Sequence, residues 1–345
     1  MTRGAPHARA WGASLAATLL LGAAPLNSSS PAAASPVGQD KATASAATTA
    51  EAVAELKALQ DADRRVADLA WQLLSHAGDL CPDQGGATGI NLHGVGQYAP
   101  AVRDAARAAF GFVGTYPSIL TAARGSPGAE AGLLPGDAVL AVNGEGLAGG
   151  ADQAAAADYG QIDSAMRTLE ALPAGRPAEI RISRGGGPLT VTIVPALVCK
   201  SRVELAPGPT VNGNANGHVV QVSGGLVAWT QSDDELALVI AHEIAHNILG
   251  HQAEIRREGI STGLFGGLGK SGRRLRDMER EADRLGTWLS ARAGFNYRIA
   301  PQFWERLARQ PGLGALLATT HPAPASRRQS LEAVVADIDK AELGS

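Results

Sequence analysis

The chain predicts an α+β protein: a mainly helical body with a small β-sheet, carrying a second, β-rich module. Three observations lead there. Apolar residues recur at three- and four-residue steps over residues 51–77, and an apolar run with helix-start acids follows Asp233-Asp234-Glu235. Between these, over residues 110–198, the texture changes to short β-like runs separated by Gly, Pro, Asn and Asp turns. A length of 345 residues is enough for two compact domains.

The first residues precede any fold. Arg3, His7 and Arg9 give a weakly positive start, an apolar stretch runs from Trp11 to Leu26, and small residues then offer cleavage positions after Ala24 or Ala34. That order is expected of an export signal over residues 1–34, with a retained anchor as the alternative; the apolar run falls short of the ~20 residues a membrane span needs. Residues 35–50, rich in Ala, Ser and Thr, read as a low-complexity linker. No later segment has the long apolar run of a membrane helix. The expectation is therefore an exported protein of the periplasm or cell envelope, with no integral membrane segment after signal removal. A formal charge of −3 with both signs interspersed argues against nucleic acid as a partner. The two cysteines, Cys81 and Cys199, are compatible with one disulfide in an oxidising compartment, two free thiols being the alternative.

Residues 51–109 form the N-terminal helical part. Val53, Leu56, Leu59, Val66, Leu69, Leu73 and Leu74 line one face of a helix that Gly78 and Cys81-Pro82 close. A glycine-rich loop (Gly85, Gly86, Gly89) and a short helix over 99–109 follow. Residues 110–198 hold strands at Ser118–Ala122, Ala138–Val142, Ala178–Ser183 and Leu189–Val194, interrupted by a helix over 151–171. The string ARGSPGAEAGLLPGDAVLAVNGE and the later AEIRISRGGGPLTVTIVP resemble a PDZ domain of the bacterial protease-associated type. The resemblance implies a module to which an extended peptide adds as a strand, its terminus held by a loop near Gly114 to Ser118, or one that only spaces the rest of the chain. Tyr116-Pro117 stand in that loop where a glycine is usual.

In residues 199–345 a Gly/Asn-rich stretch (Asn212 to Gly217) leads to a strand at His218–Val222 and then to the apolar helix 236–249. This helix carries His242, Glu243 and His246. Residues four apart on a helix differ by about 40° around the axis and about 6 Å along it, so the two imidazoles can share one metal ion. Glu243 lies about 100° from His242, on the flank where a general base reaches a water without ligating the ion. Leu238, Val239, Ile240, Ile244 and Ile248 make the rest of the helix apolar, and three polar groups buried there without a partner would be costly. A third ligand is needed. Glu279 in EREADRLG is the better candidate, with Asp283 four residues on to accept the free N–H of a ligand histidine. Glu281 lies on another face. His251, five residues past His246, falls out of helical phase and reads as a helix-end or surface histidine.

At this point DDELALVIAHEIAHNILGH, EREADRLG and THPAPASRRQSL resemble the zinc metallopeptidase family of HtpX and the CAAX prenyl proteases, family forty-eight. The resemblance implies a mainly helical gluzincin fold of the zincin type, one Zn²⁺ on His242, His246 and Glu279, Glu243 as base, and Asp283 behind the ligands. It also implies that GHVVQVSGGL is the edge strand along which substrate lies. The chain is similar to an exported soluble branch with a PDZ domain inserted, a metalloendopeptidase for extended or misfolded polypeptides. The alternative is a non-catalytic PDZ scaffold or chaperone with a vestigial metal site. His321 of HPAPASRR could cap the open metal position, stabilise an oxyanion, or form a structural His-Pro turn. Arg327 could orient the C-terminal segment or bind substrate, and Arg328 less so. Gly259 to Gly272 is too glycine-rich for a stable helix and reads as a flap or a plain loop.

Overall fold

A computed structural model describes residues 39–147, 157–260, 269–310 and 323–343. The export-signal segment 1–34, His321 and the centre of the expected flap, 261–268, lie outside these residues. The first helix, α1 (Gln39–His76), begins inside the stretch expected to be linker. From Gln39 to Ala50 that stretch contains neither Gly nor Pro and five alanines, a composition that favours helix.

The glycine-rich segment after α1 is not a loop. It forms β1 (Gln84–Ala87) and β2 (Ile90–His93), both held by strands far along the chain. Such long-range pairing overrides the weak strand propensity of glycine, which is why the local sequence misses it. Next come α2 (Arg103–Phe110), β3 (Ser118–Ala122), the single turn α3 (Pro127–Glu130), β4 (Ala138–Val142) and β5 (Glu145–Gly146). Then α4 (Gly160–Glu170), β6 (Ala178–Arg184) and β7 (Gly187–Ile193) complete the β-rich unit. Its antiparallel sheet runs β2-β3-β4-β6-β7, with β5 paired to β4. Alternation along β6 sends Ala178, Ile180 and Ile182 inward, where they pack with Ile90, Ile119, Val139 and the α4 residues Ile162, Met166 and Leu169. Strand β3, next to the expected peptide-holding loop, already carries β2 along one side and meets β4 at Ser118.

The chain returns through β8 (Ala196–Cys199), which pairs antiparallel with β1 from Gln84↔Cys199 to Ala87↔Ala196. This two-stranded stem is the root of the β-rich unit, and the Cys81–Cys199 disulfide lies at its base with the Cα atoms 5.6 Å apart. The buried Arg202 fastens the two units further: its Nε lies 2.6 Å from Glu170 and its Nη1 2.9 Å from Asp163, both on α4.

The remaining chain forms β9 (Arg202–Ala206), β10 (Gly213–Ala215), β11 (Val219–Ser223), α5 (Gly224–Trp229), α6 (Asp233–Ile248) and α7 (His251–Glu258). It ends with α8 (Gly269–Arg292), α9 (Ala300–Ala308) and α10 (Pro324–Leu343). Here the structure corrects the strand expected to accept substrate. In the small sheet, ordered β10-β11-β9, the His218–Val222 segment supplies the central strand and is paired on both sides. The Gly/Asn-rich stretch before it folds back as β10 and takes the edge. Around α6 the core gathers Leu69 and Leu73 of α1, Val220 and Val222 of β11, Leu289 of α8, Phe303 and Trp304 of α9, and Leu331 of α10.

Candidate metal centre

Helix α6 starts with the Ser232 hydroxyl accepting from the Glu235 N–H at 3.2 Å, and Asp233, Asp234 and Glu235 fill its positive first turn. Leu236, Leu238, Ile240 and Ile244 are all but fully buried, which fixes the rotation of the helix and turns His242, Glu243 and His246 toward α8. The two helices approach closely at Gly286. A Cβ there would stand 2.8 Å from the backbone nitrogen of His242, so a larger residue would push α8 away. That approach brings Glu279, two turns earlier on α8, to the histidines.

His242 Nε2 and His246 Nε2 lie 3.1 Å apart, and the Glu279 carboxylate is 3.4 Å from the first and 3.6 Å from the second. These separations match the edge of a tetrahedron around an ion with ligand distances of ~2.0–2.1 Å, about 3.3 Å. The three residues are also the group among the described residues whose donor atoms are placed to hold a metal ion. Glu243 is partly buried beside them and faces Gly213 of the edge strand β10.

Behind His242, its Nδ1 lies 3.0 Å from Asp283 Oδ1, an ion-pair contact whose alignment falls short of a hydrogen bond, while Nε2 faces the shared point. Asp283 is held in turn by Arg327, whose Nε and Nη2 donate at 2.8 and 2.7 Å. Arg327 is buried, with its guanidinium 3.8 Å from the centre of the Trp304 ring, so it is not exposed for contact with substrate. Arg328 points away to Glu305 and Glu332.

Three carboxylates, Glu243, Glu279 and Asp283, face one guanidinium. Burial alone would lower the His242 pKa, but Asp283 and Glu279 outweigh it and raise it. Burial and the neighbouring His242 push His246 the other way, because two imidazoles this close cannot both be charged. Glu243 is lifted to about 7 by burial, opposed by His242 and Arg327 and reinforced by Glu279. Burial would also lift Asp283, but Arg327 and His242 keep it below the ordinary carboxylate value.

His251 keeps half of its sequence reading: it stands at a helix end, as the first residue of α7. It is buried, not a surface residue, and its Nδ1 lies 2.8 Å from Nδ1 of His246. The phase argument assumed that α6 continues. Instead Gly250 adopts φ +68°, the left-handed conformation that ends α6, and His251 opens a new helix that folds back on the site. A glycine just past a helical run was the available warning. Trp304 and the Arg274 that pairs with Glu281 had no such signal, since only tertiary packing brings them near.

Residues 202–262 match peptidase family M48. Over these residues, which carry α6 and its two histidines, the chain is similar to peptidase family M48. Among curated relatives, the putative beta-barrel assembly-enhancing protease of Vibrio cholerae is 31% identical over 142 residues, which cover 32% of this chain and 29% of that protein. The mitochondrial metalloendopeptidase OMA1 of Arabidopsis thaliana is 33% identical over 130 residues, 32% of this chain and 27% of that protein. The matches thus span less than a third of either relative. Among solved structures, the HtrA-type protease AlgW with decapeptide covers 33% of this chain and 30% of its own at 21% identity and a TM-score of 0.25, a likeness that carries no argument. No helix among the described residues is long and apolar enough to cross a membrane.

Proposed function

We propose that this chain is a zinc-dependent endopeptidase of the cell envelope that cleaves extended or misfolded polypeptides, with a PDZ-like module attached to its catalytic unit. The observation that carries the reading is the convergence of His242 Nε2, His246 Nε2 and the Glu279 carboxylate within 3.1–3.6 Å, with Glu243 alongside. Two imidazoles and one carboxylate suit Zn²⁺ and leave a fourth position for water or substrate. When bound, the ion supplies Lewis-acid polarisation of a carbonyl and makes a water more acidic. Glu243 accepts the proton of that water on its carboxylate and returns it to the leaving amine. Asp283 and Arg327 hold His242 in the tautomer that presents Nε2.

The substrate backbone pairs with β10, because β11 has no free edge and β10 lies beside Glu243. Only chain already extended can add to a three-residue edge, which favours unfolded segments over folded ones. The signal-like residues 1–34 and the Cys81–Cys199 bond support an exported, oxidising location. The PDZ-like reading rests on the sequence from Ala122 to Glu145 together with an antiparallel sheet packed against α4.

The test is casein hydrolysis by purified protein. Activity should vanish with a chelator and return with zinc, and chelator-resistant hydrolysis would sink the metal reading. Glu243→Gln should bind zinc as the parent does while losing about 10²–10⁴-fold in rate. Near-parental rates in that variant would remove Glu243 from the role of base.

A further inference from the structure

The two histidines that converge on the metal point are not supported alike. His242 rests on a carboxylate directly, whereas His246 rests on another histidine. His251 Nδ1 lies 2.8 Å from His246 Nδ1, and His251 Nε2 lies 3.1 Å from Glu281 Oε2. Glu281 is held by Arg274, whose Nη1 donates to Oε1 at 2.9 Å, while Arg274 Nε donates to Glu254 of α7 at 2.5 Å. The chain of contacts therefore ties α6 to α7 and α8.

We propose that His251 and Glu281 form a positioning relay that fixes the tautomer and ring orientation of His246 as a metal ligand. The relay rests on the reading that His242, His246 and Glu279 hold the ion. Its direction follows from donor and acceptor counting. Two Nδ1 atoms at hydrogen-bond distance need one proton between them, since two N–H groups or two lone pairs would repel. An ionised carboxylate only accepts, so the nitrogen of His251 that faces Glu281 is the one that carries its proton. Neutral His251 then presents a lone pair at Nδ1 and accepts from His246 Nδ1–H. That leaves the His246 Nε2 lone pair free and aimed at the point shared with His242 and Glu279. Glu281, though not a ligand, thereby sets which nitrogen of His246 meets the metal. His251 is buried, so the geometry is protected from competing water, and the Gly250 turn is what brings it back to the site. Asp283 and Arg327 do the same for His242 by a shorter route, which gives the site one carboxylate-ended support per histidine.

The experiment is Zn²⁺ titration of metal-free full-length protein against a chromophoric chelator at fixed pH, with thermal unfolding and circular dichroism as controls for folding. His251→Phe, which keeps a ring but no nitrogen, should weaken zinc about 10–100-fold, the usual effect of removing such a support. His251→Asn places an oxygen where Nδ1 stood and should recover most of that loss. Glu281→Ala changes a half-exposed helical residue that has no role in the core, so it should fold as the parent does and still bind zinc several-fold more weakly. In ¹⁵N-histidine spectra of the zinc-loaded parent, His251 should be the Nε2–H tautomer and His246 the Nδ1–H tautomer. Parental affinity in both His251→Phe and Glu281→Ala, or the opposite tautomer at His251, would overturn the relay. Failure of the parent itself to bind zinc would overturn the metal reading beneath it, a result distinguishable from the first.

Discussion

The two units of the molecule each contain a buried aspartate gripped by an arginine, and they use the pair differently. In the β-rich unit Asp137 accepts from Arg184 Nε and Nη2 at 2.7 and 2.6 Å, and its remaining capacity goes to the backbone N–H of Leu134 at 2.8 Å. That aspartate closes the turn into β4. In the helical unit Asp283 accepts from Arg327 in the same two-pronged way at 2.8 and 2.7 Å, but the remaining capacity faces Nδ1 of His242. One pair shapes a turn; the other faces a histidine of the proposed metal site. A buried ion pair is thus no sign of function by itself, and the third group it touches decides what it does.

The largest effect is expected from removing Glu279, the carboxylate that shares its point with the histidine the second pair faces. Glu279→Ala should lose the metal on dialysis while folding as before, with metal analysis falling from one zinc per chain toward none. Zinc retained at parental stoichiometry would mean that the third ligand lies elsewhere.

Replacing the arginines compares the pairs directly. Arg327→Met leaves Asp283 buried without its guanidinium partner, so stability should fall by about 3–5 kcal/mol and zinc affinity by about 10–100-fold. Arg184 is partly exposed, so Arg184→Met should cost less, about 1–3 kcal/mol, and leave zinc affinity unchanged. Urea unfolding with zinc titration checks both; equal effects on metal would erase the distinction.

The stem between the units is expected to be purely structural. Exchanging Cys81 and Cys199 for serine opens a loop closed across a sequence separation of 118 residues. The loss should be about 2–5 kcal/mol of stability, with zinc binding intact under reducing and oxidising conditions alike. A change in zinc affinity would show that the stem also sets the geometry of the site.

A further effect, read as a slope with pH, concerns a carboxylate at the junction. Asp63 of α1 lines a cavity of about 100 Å³ with Tyr98, Tyr159 and Glu204, and burial, followed by the Glu204 charge, pushes it up to about 8. A carboxyl group whose folded value lies above its unfolded value contributes stability that is full below about pH 4 and is lost as the pH rises through 8. Unfolding free energy should therefore fall across that window, at no more than about 1.4 kcal/mol per pH unit from this group. Asp63→Asn should flatten the decline and be the more stable protein above pH 8. Identical pH profiles for parent and variant would show that the group titrates normally.

The sequence alone specified whatever depends on helical phase and on alternation along a strand. His242 and His246 are four apart on one helix, and Glu279 and Asp283 are four apart on another, so each pair was bound to share a face once the helices formed. The strands Ser118–Ala122 and Ala138–Val142 were likewise legible from their apolar runs and flanking turns. What decides the rest is not local. Gly286 lets α8 reach α6, and only then does Glu279 meet the histidines. The left-handed turn at Gly250 brings His251 back against His246, although it stays outside the group of three donors. Pairing with β8 and β3 makes strands of the glycine-rich residues after Cys81, and pairing on both sides puts the segment expected at the edge into the centre of its sheet. Helical phase is set within a few residues, so one stretch of chain carries it. Pairing and close approach depend on partners elsewhere in the chain, as far apart as Gln84 and Cys199, and only the folded chain brings them together.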